Sequence, residues 1–425
     1  MNTRATTWEE ASRPLWAGTG LILRPLHAAL VFPSILYLAT LTIFLFRPPD
    51  LYLYNADRIA FCALVFCVAL RALALRERLP FIARLSLPML GLIGLAVFRA
   101  LREPFDAQTW SLIAGKFIVP FTLFHLAILV FRSAPARAHF RIFVLLTLAY
   151  LIFTAVAFLA GAHALIFPGF ILDQSLGFHF DRARGPFLQA VANGLSLNLL
   201  GLLAVAFAGR QRKLVLLLWL VLPLAILATM TRAVWISFAV SAVALAFRLG
   251  ERRLRRACVG LVFAGLFISL VAGLGGNSLR SALQDRSEER GPLKARAAVY
   301  NAGWTMFRER PVAGWPTSGM YSELARRMEG YHLRSFYVHN TYLSMLIEFG
   351  IPGLALYAIL FFHLFRLARA GPAGGECESL RKIWPILLGV FLFNAFFVDM
   401  VYQFVTGLMF TVAGMLCASA QEGAR

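Results

Sequence analysis

The stretch that decides the fold is Leu214 to Phe247, LVLLLWLVLPLAILATMTRAVWISFAVSAVALAF. It reads as two apolar runs, near 214–229 and 233–249, joined by the tight turn Thr229-Met230-Thr231-Arg232, with Arg232 as the one charge in the stretch. About 20 such residues suffice to cross the hydrocarbon of a bilayer as a helix. Working outward, similar runs lie near 28–46, 59–75, 85–99, 110–131, 142–161 and 187–209 on one side. On the other side lie 257–274, 349–366, 383–399 and 404–420. Of the 425 residues, 60% are hydrophobic and 15% charged, with a mean hydropathy of +0.72. Soluble domains have about 25% charged residues. The expectation is an all-α polytopic membrane protein of about 12 transmembrane helices.

The net charge of +20 does not point to nucleic acid, because the basic residues lie mostly in short clusters between apolar runs. With the N-terminus inside, segments expected on the cytoplasmic side carry 23 Lys and Arg, against 7 in the short outer loops. That bias fits the positive-inside rule and puts both termini in the cytoplasm. The first run, Ala28 to Phe46, is followed by Arg47-Pro48-Pro49-Asp50 and not by small residues of a cleavage site, so it reads as a retained helix. Cys62, Cys67, Cys258 and Cys417 lie in or beside apolar runs and Cys377 in a short polar loop, an arrangement that suggests neither a disulfide framework nor a zinc site.

One segment breaks the pattern. Residues 275–338 hold ten basic and six acidic side chains, too many for a turn, and long loops translocate regardless of charge. The chain thus divides into 1–274 with nine helices, a large outer loop at 275–338, and 339–425 with three more helices. Within the loop, Ala297, Tyr300, Trp304 and Phe307 recur at helical spacing, as do Met320, Leu324, Met328 and Tyr331. Two amphipathic helices are expected, and periodicity alone suits an interfacial lid as well as a catalytic domain. No internal repeat pairs the two halves, which argues against a carrier. The cytoplasmic loops are short and lack a phosphate-binding glycine loop. An enzyme of this architecture would work at the outer face, where its activated substrate must arrive attached to a membrane lipid.

The polar residues expected at that face form a small set. Asp181-Arg182-Ala183-Arg184-Gly185-Pro186-Phe187 opens the sixth run. Arg232, at about 2.5 to 3.5 kcal/mol for a charge at membrane depth, is either partnered or snorkels to the headgroups. Arg296 lies on the first loop helix, and Tyr337-Val338-His339-Asn340-Thr341-Tyr342 precedes a helical run to Glu348. Gly350-Ile351-Pro352-Gly353 should break that run. Alone, His339 reads as an interfacial structural histidine, and Lys116 and Arg71 as snorkelling cations near span ends.

Taken in order, Arg182, Gly185 and Phe187, then Thr229 to Arg232, Arg296 with Trp304 and Pro311-Val312-Ala313-Gly314, and His339-Asn340 before Glu348 and Gly350 to Gly353 resemble the O-antigen ligase and polymerase superfamily. The resemblance covers roughly 181–361. Asn193 stands further from Gly185 than that pattern has it and is not carried over. The resemblance implies a bacterial inner-membrane glycosyltransferase of the C type (GT-C), metal-independent and without a cofactor, active at the periplasmic face. Its donor would be an undecaprenyl diphosphate-linked glycan. Its acceptor would be the lipid A core, in an O-antigen ligase of lipopolysaccharide biosynthesis, or a second lipid-linked glycan in a polymerase. Membrane lipids are the other implied partner.

Arginine forks suit phosphate oxygens, so Arg182, Arg184, Arg232 and Arg296 are candidate ligands of the diphosphate leaving group, with Asn340 as a further substrate contact. A good leaving group needs no general acid. What remains is deprotonation of the acceptor hydroxyl, for which His339 is the candidate base in an inverting displacement. Asp173, Asp181 and Asp399, expected on the same side, keep a carboxylate base open as the alternative. A transporter of an anionic lipid or solute, with the arginines lining a pathway, is the competing class.

Overall fold

The computed structural model describes residues 32–46, 51–77, 79–167, 182–187, 189–208, 211–248, 260, 291–328, 337–369 and 377–422. Among these, the regular structure is helical. The helices are α1 (Pro33–Leu45), α2 (Leu51–Ala74), α3 (Ala83–Ala100), α4 (Ala107–Ile113), α5 (Val119–Val130) and α6 (Ala134–Leu159). After them come α7 (Ala190–Ala206), α8 (Arg212–Ala228), α9 (Arg232–Arg248), α10 (Gly291–Glu309) and α11 (Thr317–Arg327). The chain ends with α12 (Thr341–Arg366), α13 (Glu378–Asn394) and α14 (Gln403–Glu422). A π-helical turn, Ala114–Ile118, fuses α4 to α5.

Every apolar run marked out in the sequence coincides with a helix except 257–274, of which only residue 260 is described. Among the described residues, five helical segments are long and apolar enough to cross a membrane: 83–100, 107–130, 134–159, 341–369 and 403–421. The protein is therefore an all-helical polytopic membrane protein. Helix α14 is the most enclosed of them and packs along α5, while α3 packs on α12 and α9 on α13.

Inside a bilayer each polar group must find its partner within the protein. Trp219 donates its indole N–H to the Gly201 carbonyl at 3.0 Å, and Trp384 to that of Leu364 at 2.7 Å. Tyr37 bonds the Leu123 carbonyl and the Thr411 hydroxyl, tying α1 to both α5 and α14. Asn198, Ser241, Ser237 and Asn394 form a buried chain of hydrogen bonds that joins α7, α9 and α13. Such contacts set register, because apolar packing alone discriminates poorly between helices already in lipid.

The loop differs from its expected form in one respect. Helix α10 buries Val299, Ala302 and Met306, one residue out of phase with the stripe Ala297, Tyr300, Trp304 and Phe307, and Trp304 is 45% exposed. The buried face is chosen by its partners: Met320, Tyr321 and Leu324 of α11 and Leu343 and Ile347 of α12, which close a small second core with Met328 and Val338. On α11 the expected Met320 and Leu324 are buried, whereas Tyr331 lies outside the described residues.

Candidate active site

The site begins at the break in α12. Gly350 has φ 65° and ψ −164°, which interrupts the helix two residues after Glu348. The turn Pro311 to Gly314 docks into the gap: Ile351 N–H donates to the Pro311 carbonyl at 2.8 Å, and Trp315 N–H to the Ile347 carbonyl at 2.7 Å. A Cβ on Gly350 would stand 2.5 Å from the Val312 carbonyl oxygen, and one on Gly314 2.5 Å from that of Glu348. Both glycines have positive φ, so each is required twice over, by conformation and by space. Arg99 donates to the Glu348 carbonyl freed by the break. The two glycine motifs that stand apart in sequence are thus two halves of one joint.

Nine residues before Gly350, α12 begins at a second joint. The Asn340 side chain caps the helix by accepting from Leu343 N–H at 3.0 Å. Thr341 N–H donates to the Ala395 carbonyl at 2.8 Å, its hydroxyl donates to the Val398 carbonyl at 2.9 Å, and it accepts from Met400 N–H at 3.0 Å. The segment 395–400 is therefore stapled to the residues that follow His339. His339 itself has φ 50°, a left-handed conformation uncommon for a side chain of this size and held here by the surrounding bonds.

The His339 ring is half-buried. Burial, and then the positive charge of Arg296, push its pKa below the ordinary histidine value, against an opposing pull from Asp399. The imidazole is accordingly neutral at neutral pH, the state required to accept a proton. Arg296 on α10 is exposed, and so is Arg232 at the first residue of α9. Tyr300, one turn along α10 from Arg296, donates to the Phe396 carbonyl at 3.0 Å and so fixes α10 against 395–400.

Arg182 and Arg184 are buried, at 7% and 5% exposure, in a loop that the structure pins from two sides. Ala183 N–H donates to the Ala228 carbonyl at 2.9 Å, just before the Thr229 to Arg232 turn, and Asn193 donates its amide to the Ala183 carbonyl at 2.9 Å. A Cβ on Gly185 would meet the Asn193 oxygen at 2.7 Å. Asn193, set aside on spacing, is thus the anchor of the arginine loop, one helical turn into α7. Met230, in the adjoining turn, is the second of the left-handed residues other than glycine at this end, with φ 50°. Gln189 hydrogen-bonds Tyr402, and Phe187 packs on Phe404, linking the arginine loop to the start of α14. Asp173 and Asp181 lie outside the described residues.

Sequence reasoning missed the burial of Lys116 and its pairing with Glu348 and Asp399. Lys116, read as a snorkelling cation, sits inside the π turn with its Nζ 3.1 Å from Glu348 Oε2 and 3.0 Å from Asp399 Oδ2. The exposures of the three side chains are 7%, 1% and 7%. Thr317 of α11 donates to Glu348 Oε1 at 2.8 Å, and Ser344 donates to Asp399 Oδ2 at 3.2 Å. The signal was available: Lys116 is the only charge between Ala107 and Phe131, the same criterion that marked Arg232. In the structure the two exchange places, with Lys116 buried and Arg232 exposed.

Comparison with known proteins agrees with the resemblance. Residues 214–358 match the family model described as O-antigen ligase. That stretch contains Arg232, Arg296, both glycine motifs, His339, Asn340 and Glu348, whereas Arg182 and Arg184 precede it. No curated protein matches the chain. Over that stretch the chain is similar to the O-antigen ligase family.

Proposed function

We propose that the protein is an inner-membrane glycosyltransferase of the C type that moves a glycan from undecaprenyl diphosphate to an acceptor at the periplasmic face, as an O-antigen ligase with lipid A core as acceptor. The observation that carries this reading is the setting of His339: a neutral, half-buried imidazole beside the exposed guanidinium of Arg296, within the residues that match the family model. The topology that goes with it has twelve spans, both termini cytoplasmic and 275–338 as the periplasmic loop.

In the proposed reaction His339 takes the proton of the acceptor hydroxyl as its oxygen attacks the anomeric carbon, and the bond to the diphosphate breaks on the opposite side with inversion. Arg232 and Arg296 bind the exposed end of the diphosphate and offset the charge that grows on it. Arg182 and Arg184, buried in the loop that Ala183 ties to the Ala228 carbonyl, raise the positive potential at the diphosphate. Asn340 caps the helix that follows the base and is a further substrate contact in this reading.

Product analysis tests the reading. Purified protein in liposomes receives an undecaprenyl diphosphate-linked glycan and lipid A core together. Glycan joined to lipid A core establishes a ligase, and a ladder of longer lipid-linked glycans establishes a polymerase instead. Movement of donor across the bilayer without a new bond would replace the reading with transport.

A further inference from the structure

The Lys116 cluster is not used by the steps above, yet it is the most enclosed group of charges among the residues described here. It sets one ammonium against two carboxylates, in a region where uncompensated charge is costly. It is also a crossing point. Lys116 stands on a π turn, a local widening of the helix that often marks functional positions. Glu348 is two residues before the Gly350 break and takes a hydrogen bond from Thr317 of the loop. Asp399 belongs to the segment stapled to Thr341, two residues after His339. Ser344 bridges the two carboxylates' surroundings, donating to Asp399 and lying 3.4 Å from Lys116.

We propose that Lys116 is a positioning residue for the transfer reaction: by gripping Glu348 and Asp399 together it locks both joints of α12 in register, so that the segment carrying His339 keeps its reacting geometry. The inference rests on the reading of His339 as the base. Lys116 touches no substrate in this account and acts only through Asp399 and Glu348. A cavity of about 30 Å³ lies beside Lys116 and Asp399, lined also by Phe117, Thr341 and Met345, and gives a guanidinium room at this position.

The test measures glycan transfer in liposomes for wild type, Lys116→Met, Lys116→Arg and the double variant Lys116→Met/Glu348→Gln, which preserves the net charge of the cluster. Lys116→Met should lower kcat by roughly ten- to a hundredfold, the range a displacement of about 1 Å causes, with donor KM within about twofold of wild type. Lys116→Arg should recover most of the loss. If Lys116→Met does not fold, the double variant carries the same expectation. Wild-type kcat in either Met variant overturns the proposal, as does an equal loss in kcat and donor affinity that arginine does not rescue. Wild type that forms no glycosidic bond overturns the functional reading itself, so the two failures are distinct.

Discussion

At the scale of single residues, the electrostatics of His339 make a signed prediction. A base works in its neutral form, so turnover falls as pH drops through its pKa. Arg296 holds that pKa down and Asp399 holds it up. Arg296→Gln should therefore move the acid limb of the kcat profile to higher pH, and Asp399→Asn should move it to lower pH. Shifts of the same sign in both variants would contradict the assignment. Asn193 offers a second prediction, because its amide bond to the Ala183 carbonyl is fully buried. Asn193→Ala should cost about 1–3 kcal/mol, the penalty for an orphaned buried acceptor. It should also raise donor KM by loosening the Arg182 to Phe187 loop, as donor titration would reveal.

At the scale of elements, the docking of Pro311 to Gly314 against the Gly350 break is the joint on which the outer loop hangs. Gly350→Ala places a methyl group 2.5 Å from the Val312 carbonyl oxygen and forces alanine into a left-handed conformation. The conformation alone costs about 1–3 kcal/mol. A lowered Tm in detergent together with loss of transfer is expected, and a variant as stable as wild type would show that the joint is dispensable. The break itself was legible from Gly350-Ile351-Pro352-Gly353, because backbone rules are local. What fills it was not, since Pro311 lies 40 residues upstream of Ile351 and the bond between them is visible only in three dimensions. The phase of α10 was illegible for a related reason. Ala297, Tyr300, Trp304 and Phe307 form a genuine apolar stripe, but Val299, Ala302 and Met306 form another, and the choice between them is made by α11 and α12.

At the scale of the whole molecule, helices were the most legible feature, because hydropathy over some 20 residues is a strong signal and bilayer-spanning backbone leaves little alternative. The candidate site residues were named from motifs, and the structure leaves Arg232 and Arg296 exposed and places His339 just before α12. The site was hidden where function depends on depth, since a sequence does not say whether a lysine two turns from a span end reaches up to water or, like Lys116, inward to two carboxylates. Orientation makes the remaining prediction. In a cysteine-free background, Ser318→Cys, exposed on α11, should react with an impermeant maleimide from the periplasm, and Arg212→Cys, exposed at the start of α8, should not. The reverse pattern would invert the proposed topology.

The central claim is that His339 removes the acceptor proton while other residues hold the donor. It is tested most directly by comparing His339→Ala with wild type in the same liposomes, measuring donor binding and release of undecaprenyl diphosphate with acceptor present. The account predicts that donor binding stays within about twofold while acceptor-dependent release falls by roughly 10²–10⁴-fold, the usual contribution of a general base. Release at the wild-type rate, or loss of donor binding in step with turnover, would contradict it.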